Sequence, residues 1–438
     1  MKLKSSSEIF GTPKLPGDKS ISHRCLMFAA LAKGVSQFEN MSQALDVVST
    51  EKVLLQLGIE IERDGTSVRV SSTGKFKKPL KELNCGNAGT LMRLMMGVLS
   101  AQEFESTLVG DESLTQRPMK RVVEPLTQMG AEISLRDNQY APVQIKPSKL
   151  KGITYDLKVS SAQVKSAILL AALYADGETA LTGKIQSRDH TERLLKFFGA
   201  KILTSDLKSQ ICEIQIEGKQ ALHNNSYKIP NDVSAASFWI AAAVLAEKSD
   251  VTLENVGVNP TRMGFIEVLK RSGANIEIEM ISEHPEPVAK LKIKNSKLKG
   301  FYIESSEVSA LIDEVPLLVL LATQCDGPSV IMGVEELRFK ETDRIKATVE
   351  AIEVLGGKVT VKGNDLFIEG HQALVGGRVE SYHDHRIAMM AAVSRYCVRG
   401  DVEINNFECA EISDPYFAEQ ISGKIMMNQV LNQMAEFL

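Results

Sequence analysis

Five times along its 438 residues the chain ends a helical pattern on a glycine and turns to β-branched alternation: Leu57-Gly58-Ile59, Met129-Gly130-Ala131, Phe198-Gly199-Ala200, Ser272-Gly273-Ala274 and Leu355-Gly356-Gly357. A glycine there reads as the left-handed residue that closes a helix. The residues that follow (Ile59, Ile61, Ile133, Ile202, Ile276, Ile278, Val359, Val361) read as strands. A second series interleaves with the first. Small or polar residues open an apolar helix at Gly17-Asp18-Lys19-Ser20, Gly86-Asn87-Ala88-Gly89-Thr90, Ser160-Ser161-Ala162-Gln163, Asn231-Asp232-Val233-Ser234, Ile312-Asp313-Glu314 and His383-Asp384-His385-Arg386. The spacing of roughly 70–80 residues predicts about six copies of one unit, each with two helices and three or four strands. The chain is therefore expected to be an α/β protein.

The opening helices differ in character. Leu91, Leu94, Met95, Val98 and Leu99 follow the spacing of a single apolar face, whereas Val164–Leu173 and Ala235–Leu245 are apolar on nearly every side. Helices apolar all round belong inside a domain. Their polar N-termini carry unpaired N–H groups and the positive end of the helix dipole, which favour anions. Six such ends predict an anion site between two three-unit halves, with the fourth unit opening near Asn231.

Composition narrows the class. With 44% hydrophobic and 24% charged residues the chain is expected to fold around a large core, and its length suggests about two or three domains. Lys and Arg number 51 against 55 Asp and Glu, a net charge of −4, which argues against a nucleic-acid-coating surface. No run of about 18 apolar residues could span a bilayer. The start, Met1–Ser7, has no apolar stretch behind its lysines, so no signal peptide is expected and the cytoplasm is the expected compartment. The six cysteines (Cys25, Cys85, Cys212, Cys325, Cys397, Cys409) form no CxxC pair, so neither a disulfide framework nor a zinc site is expected.

Several segments could carry chemistry. Lys19, Ser20 and Arg24 could hold a phosphate or carboxylate at one helix start through charge-assisted bonds, or could be a capped, solvated turn. Gly86-Asn87-Ala88-Gly89-Thr90 has two glycines that would let backbone approach a ligand, but no Gly-Lys-Ser/Thr follows, so it is not a Walker loop. Asp313 could be an N-cap before Pro316. Lys340-Glu341-Thr342-Asp343-Arg344 reads either as an exposed, salt-bridged helix start or as an acid/base carboxylate among cations. Arg188-Asp189-His190-Thr191-Glu192 reads first as a capped helix start. His383-Asp384-His385-Arg386 has no carboxylate or Cys partner at ligand spacing, and no metal is expected there. These signals fall at equivalent places in successive repeats, which argues for one shared site.

With these segments in order, together with Gln116-Arg117-Pro118, the chain resembles the 5-enolpyruvylshikimate-3-phosphate synthase family over its whole length. Its class II branch is suggested by Ser161-Ala162-Gln163-Val164-Lys165, Arg188–Glu192 and Asn259-Pro260-Thr261-Arg262. The resemblance implies two similar domains, each of three βαβαββ units with buried helices. This is the inside-out α/β barrel of enolpyruvyl transferases, with the active site in the cleft between domains. It implies residues 16–231 in one domain and 1–15 with 232–438 in the other. It also implies a transferase that moves the enolpyruvyl group of phosphoenolpyruvate to the 5-hydroxyl of shikimate 3-phosphate and releases phosphate. By resemblance, Lys19, Ser20, Arg24, Ser161, Ala162, Gln163, Asp313 and Lys340 would bind shikimate 3-phosphate, with Ser187 and Arg188 helping at its phosphate. Lys19, Asn87, Gly89, Arg117, Gln163, Glu341, Arg344 and Arg386 would bind phosphoenolpyruvate. Asp313 would be the base on the hydroxyl and Glu341 the acid/base at C3, shared with Lys19. No metal or organic cofactor is implied. The expected partners are the two small molecules, with no nucleic acid and no membrane, and the chain is expected to be a monomer.

Three other readings compete, one of them an RNA-processing enzyme of related fold, which the net charge of −4 and the 5% aromatic content disfavour. The sister transferase acting on UDP-N-acetylglucosamine uses a Cys shortly before an Arg-Pro, but no Cys lies between Cys85 and Cys212, and Asp18-Lys19-Ser20 replaces its Ala-Lys-Asn. A non-catalytic repeat scaffold would keep the helices and glycines but would not need Lys19, Arg117, Glu341, Arg344 and Arg386 at unit starts.

Overall fold

The helix-closing glycines do what their positions require: Gly58, Gly130, Gly199, Gly273 and Gly356 all adopt φ between +80° and +103°. In the computed structural model, which describes residues 1–205 and 213–423, the chain divides into two units. One is Gly17–Ile229; the other joins Met1–Pro16 to the chain from Pro230 onward.

The Gly17–Ile229 unit holds three four-stranded sheets. In spatial order they are Ser226–Lys228, Lys33–Glu39, Ser67–Thr73, Glu60–Asp64; then Leu83–Asn84, Ser106–Val109, Tyr140–Lys146, Glu132–Arg136; then Thr154–Leu157, Glu178–Gly183, Ile214–Glu217, Ile202–Thr204. In each, the first two strands are parallel and the rest antiparallel. A helix (Gly89–Leu99 in the second sheet, Ala162–Ala172 in the third) makes the parallel crossover. A second helix (Leu45–Gln56, Lys120–Gln128 or His190–Phe197) leads into the hairpin. This is the βαβαββ order. The first repeat begins directly with its helix, Lys19–Leu31, and takes its missing first strand from Ser226–Lys228.

The other unit repeats the scheme with borrowed strands. Glu8–Gly11 pairs in parallel with Lys248–Gly257, which continues to Val288–Lys294 and Asn275–Ser282. Tyr302–Ile303, Ser329–Ile331, Asp365–Ile368 and Thr360–Lys362 form the next sheet. The last has three strands, Val375–Glu380, Arg399–Asn405 and Lys2–Leu3. Its second helix is short, Phe417–Ile421, and follows the 3₁₀ turn Phe407–Ile412.

The crossover helices form the cores. Val233–Leu245 is buried from Val233 to Val244, Val315–Ala322 along its whole length, and Ala162–Ala172 from Val164 on. The helix Gly89–Leu99 departs from the one-faced pattern expected of it, because Met92 and Met96 are buried along with Leu91, Leu94, Met95, Val98 and Leu99. The unbranched Met side chains fill the side that the periodicity left polar. Gly97 explains how close this helix lies to its neighbour: a Cβ there would fall 2.1 Å from Ala167 O on the helix Ala162–Ala172. Truncating a core residue such as Leu170, fully buried, would cost about 2–5 kcal/mol. Among the described residues no helix is long and apolar enough to cross a membrane.

Candidate active site

In the Gly17–Ile229 unit the crossover helices present their starts as expected. Asp18 caps the first, its Oδ1 accepting from Ile21 N at 2.8 Å, which leaves Lys19 and Ser20 on the opening turn. Lys19 Nζ lies 3.1 Å from Asp46 Oδ2, a carboxylate supplied by the next helix. Ser161 caps the third crossover helix through Val164 N, so Ala162 and Gln163 open that helix. The Gln163 amide donates to Thr90 Oγ1 at 3.0 Å and accepts from Arg93 Nη1 at 2.8 Å, joining the second and third helix starts. Arg117 donates to Asn87 Oδ1 at 2.6 Å and to Ser113 Oγ at 3.2 Å, and Asn87 donates to Asp111 Oδ2 at 2.7 Å. Gly89 lies under both arginines: a Cβ there would stand 2.8 Å from Arg93 Nη1 and 3.5 Å from Arg117 Nη1. Asn87, Gly89, Arg117 and Gln163 are thus brought together, with Arg93 between them.

Arg24 is buried. Its Nε donates to Thr191 Oγ1 at 2.7 Å, its Nη2 to Ser166 Oγ at 2.9 Å and its Nη1 to Ser20 O at 2.9 Å. Beside it His23 is held neutral. Burial chiefly, with Lys19 and Arg24 adding to it and Asp46 opposing, lowers its pKa to about 3. Ser187, buried, and Arg188, half-buried, lie in the loop before the helix His190–Phe197. That helix starts one residue after Asp189, whose side chain makes no cap bond and instead accepts from Arg193 Nε at 2.8 Å.

In the other unit the charged turn is not an exposed helix start. Arg344 is 2% exposed and divides its guanidinium among three carboxylates: Nε to Asp384 Oδ2 at 2.8 Å, Nη1 to Asp313 Oδ1 at 3.3 Å and Nη2 to Glu341 Oε2 at 2.5 Å. Burial works against its charge, but Asp384, Glu341 and Asp313 outweigh it and raise its pKa above the usual guanidinium value. Lys340 Nζ donates to Asp313 Oδ1 at 3.0 Å. Asp313 is therefore not an N-cap. It sits in the 3₁₀ turn Ile312–Glu314, and Glu314 takes the cap position, because the helix Val315–Ala322 starts directly after it with Pro316 in its first turn. Asp343 caps the helix Arg344–Val354, accepting from Ile345 N and Lys346 N at 3.1 Å each. Asp384 does two jobs, capping Arg386 N through Oδ1 and holding Arg344 through Oδ2. Arg386 is buried against the Phe238 ring, 3.8 Å from Glu314 Oε1. Its Nε has no partner among the described residues and so could donate to a ligand.

The sequence reading missed Asp46, Thr90, Arg93, Asp384 and Glu314 as members of these constellations. Arg93 carried a signal, since it lies one helical turn beyond Gly89. Asp46 carried none, because it reaches Lys19 from a separate helix. The four thiols Cys25, Cys85, Cys325 and Cys409 are buried, while Cys212 lies outside the described residues. Burial pushes Cys85 well above the ordinary thiol value and Cys325 and Cys409 up to about 11, so none of these three is a ready nucleophile at neutral pH. Among the described residues no cluster of three or more His, Cys, Asp or Glu could hold a metal ion.

These arrangements match a known family. The family model for EPSP synthase (3-phosphoshikimate 1-carboxyvinyltransferase) matches residues 3–421. The 3-phosphoshikimate 1-carboxyvinyltransferase of Leuconostoc citreum is 43% identical over 425 residues, covering 95% of this chain and 97% of that one. Its counterpart from Petrotoga mobilis is 45% identical over 415 residues, covering 92% and 94%. The solved EPSP synthase of Acinetobacter baumannii superposes with a TM-score of 0.84 at 39% identity, covering 95% of this chain and 96% of that chain. With two units of βαβαββ repeats, buried crossover helices and full-length similarity of this degree, the chain belongs to the EPSP synthase family.

Proposed function

We infer that this chain transfers the enolpyruvyl group of phosphoenolpyruvate to the 5-hydroxyl of shikimate 3-phosphate and releases inorganic phosphate. The observation that carries the reading is Arg344, buried among Asp313, Glu341 and Asp384, with Lys340 on Asp313. Acid/base carboxylates held by cations are what an addition–elimination on an anionic enol phosphate needs. The hydroxyl loses a proton as its oxygen attacks C2 while C3 gains one, and loss of phosphate then reverses the C3 step.

Asp313 takes the hydroxyl proton, and Glu341, with Lys19, moves the proton at C3. Arg117, Arg344 and Arg386 bind the carboxylate and phosphate of phosphoenolpyruvate and neutralise charge in the tetrahedral adduct. Asn87, Gly89 and Gln163 complete that site. Lys19, Ser20, Arg24, Ser161, Ala162, Gln163, Ser187, Arg188, Asp313 and Lys340 bind shikimate 3-phosphate. No step calls for a metal or an organic cofactor. We read the partners as these two small molecules alone, the chain acting as a monomer in the cytoplasm. The test is phosphate release. The purified chain with phosphoenolpyruvate should release phosphate when shikimate 3-phosphate is added and not when UDP-N-acetylglucosamine replaces it. Release with the nucleotide sugar alone would overturn the assignment.

A further inference from the structure

Two rungs join the helix Ala162–Ala172 to the helix His190–Phe197, both in the Gly17–Ile229 unit. In one, the hydroxyls of Ser166 and Thr191 lie 2.6 Å apart, and both hold the Arg24 guanidinium. In the other, Lys165 Nζ stands 2.6 Å from Glu192 Oε1, and the two residues are only 1% and 3% exposed. Lys165 reaches further than this pair. It also donates to Ile185 O at 3.1 Å and to Ser187 O at 3.2 Å, which uses all three of its N–H groups. The carbonyl between these two, Gln186 O, accepts from the Ser160 hydroxyl. Three consecutive carbonyls of one loop are thus tied to the start of a crossover helix, and the loop carries Ser187 and Arg188.

Fold stability is a weak reason for such a device. Replacing a buried ion pair by apolar side chains of similar volume is often neutral or stabilising. What an apolar pair could not do is hold the carbonyls of residues 185 and 187 in fixed directions. We propose that Lys165 and Glu192 are positioning residues for recognition of the acceptor's 3-phosphate. Lys165 fixes the 185–187 backbone so that Ser187 and Arg188 meet the phosphate, Glu192 fixes Lys165, and the neighbouring Ser166–Thr191 rung sets Arg24 for the same group. This rests on the functional reading above, which assigns Arg24, Ser187 and Arg188 to shikimate 3-phosphate.

The test compares the phosphorylated acceptor with shikimate, which lacks the phosphate. The double variant Lys165→Met/Glu192→Leu removes both charges together and leaves no unpaired ion. It should keep kcat and the phosphoenolpyruvate KM within about twofold of wild type, while the KM for shikimate 3-phosphate rises about tenfold or more, the loss of roughly one charge-assisted bond. The kcat/KM preference for shikimate 3-phosphate over shikimate should fall by the same factor. Ser160→Ala, at an exposed position, should shift the preference the same way by a smaller factor, and it decides the matter should the double variant not fold. An unchanged preference in the folded double variant, or in Ser160→Ala alone where only that variant folds, would overturn the proposal. A wild-type chain inactive on shikimate 3-phosphate would instead refute the functional reading beneath it.

Discussion

Asp414 offers a sharp test of how burial sets protonation in this fold. Its side chain is fully buried; Oδ1 accepts from Tyr416 N at 2.9 Å, and Oδ2 has no partner among the described residues. Burial raises its pKa from 3.8 to about 7, the N–H groups of Tyr416 and Phe417 acting against that and Asp232 adding to it. The unfolded chain ionises this group near pH 4, while the folded chain keeps the proton until about pH 7. Its contribution to stability is therefore full below the unfolded value and is lost as pH rises through that window. Each pH unit in which the folded state binds one more proton shifts stability by ~1.4 kcal/mol, so the loss reaches about 4 kcal/mol above pH 7. Asp414→Asn mimics the protonated form, keeping the Oδ1 acceptor and never ionising. Chemical denaturation of both proteins across the range from below the unfolded pKa of 3.8 to above the folded value of about 7 should give nearly equal stabilities at the acid end. At the alkaline end the variant should be the more stable by a few kcal/mol, or about 5–10 °C in Tm. Other carboxylates titrate in both proteins and cancel in the difference. Parallel stability curves would refute the argument that this carboxyl is held protonated by its surroundings.

Other consequences follow from the same contacts. Asp313→Asn and Glu341→Gln should fold normally and lose roughly 10²–10⁴ in kcat, as general acid–base groups do, and near wild-type turnover in either would remove that residue from the mechanism. Gly89→Ala should push Arg93 away from Gln163, because the new methyl meets Arg93 Nη1 at 2.8 Å. The KM for phosphoenolpyruvate should rise; an unchanged KM would show that the glycine does not line that site. Gly97→Ala should lower Tm despite its better helix propensity. The added carbon collides with Ala167 O at 2.1 Å, and overpacking of about 1–3 kcal/mol exceeds the ~1 kcal/mol propensity gain. An unchanged or higher Tm would show that the two helices can part without cost.

Much of this was legible because it is local. Helix-closing glycines and polar caps such as Asp18, Ser161, Asp232 and Asp384 act within one turn, so their residue types mark the repeats directly. The strands that complete the repeats were not legible. Lys2–Leu3, Glu8–Gly11 and Ser226–Lys228 are two to four residues long, and they find partners at Arg399–Asn405, Lys248–Gly257 and Lys33–Glu39, far away in the chain. Segments so short show no alternation to read. At the site, the residue types in the charged turn were clear, but the burial of Arg344 was not, because its three carboxylate partners come from three separate segments. Asp313 fits a cap by residue type alone, and its other role comes from Lys340 and Arg344, which bind it from a separate segment. The methionines on the second crossover helix hid the burial of all but Thr90 and Arg93, since their spacing fits no single stripe.

The proposed reaction requires proton transfer to C3 of phosphoenolpyruvate followed by its reversal, and deuterium reports this directly. With shikimate 3-phosphate and phosphoenolpyruvate in D₂O, C3 passes through a methyl group that has gained one deuteron. Elimination should therefore leave deuterium in the enolpyruvyl methylene of the product, seen by proton NMR and mass spectrometry. In Glu341→Gln, deuterium entry and phosphate release should slow together. Product formed at the wild-type rate with an unlabelled methylene would contradict addition–elimination at this site, and with it the roles given to Asp313 and Glu341.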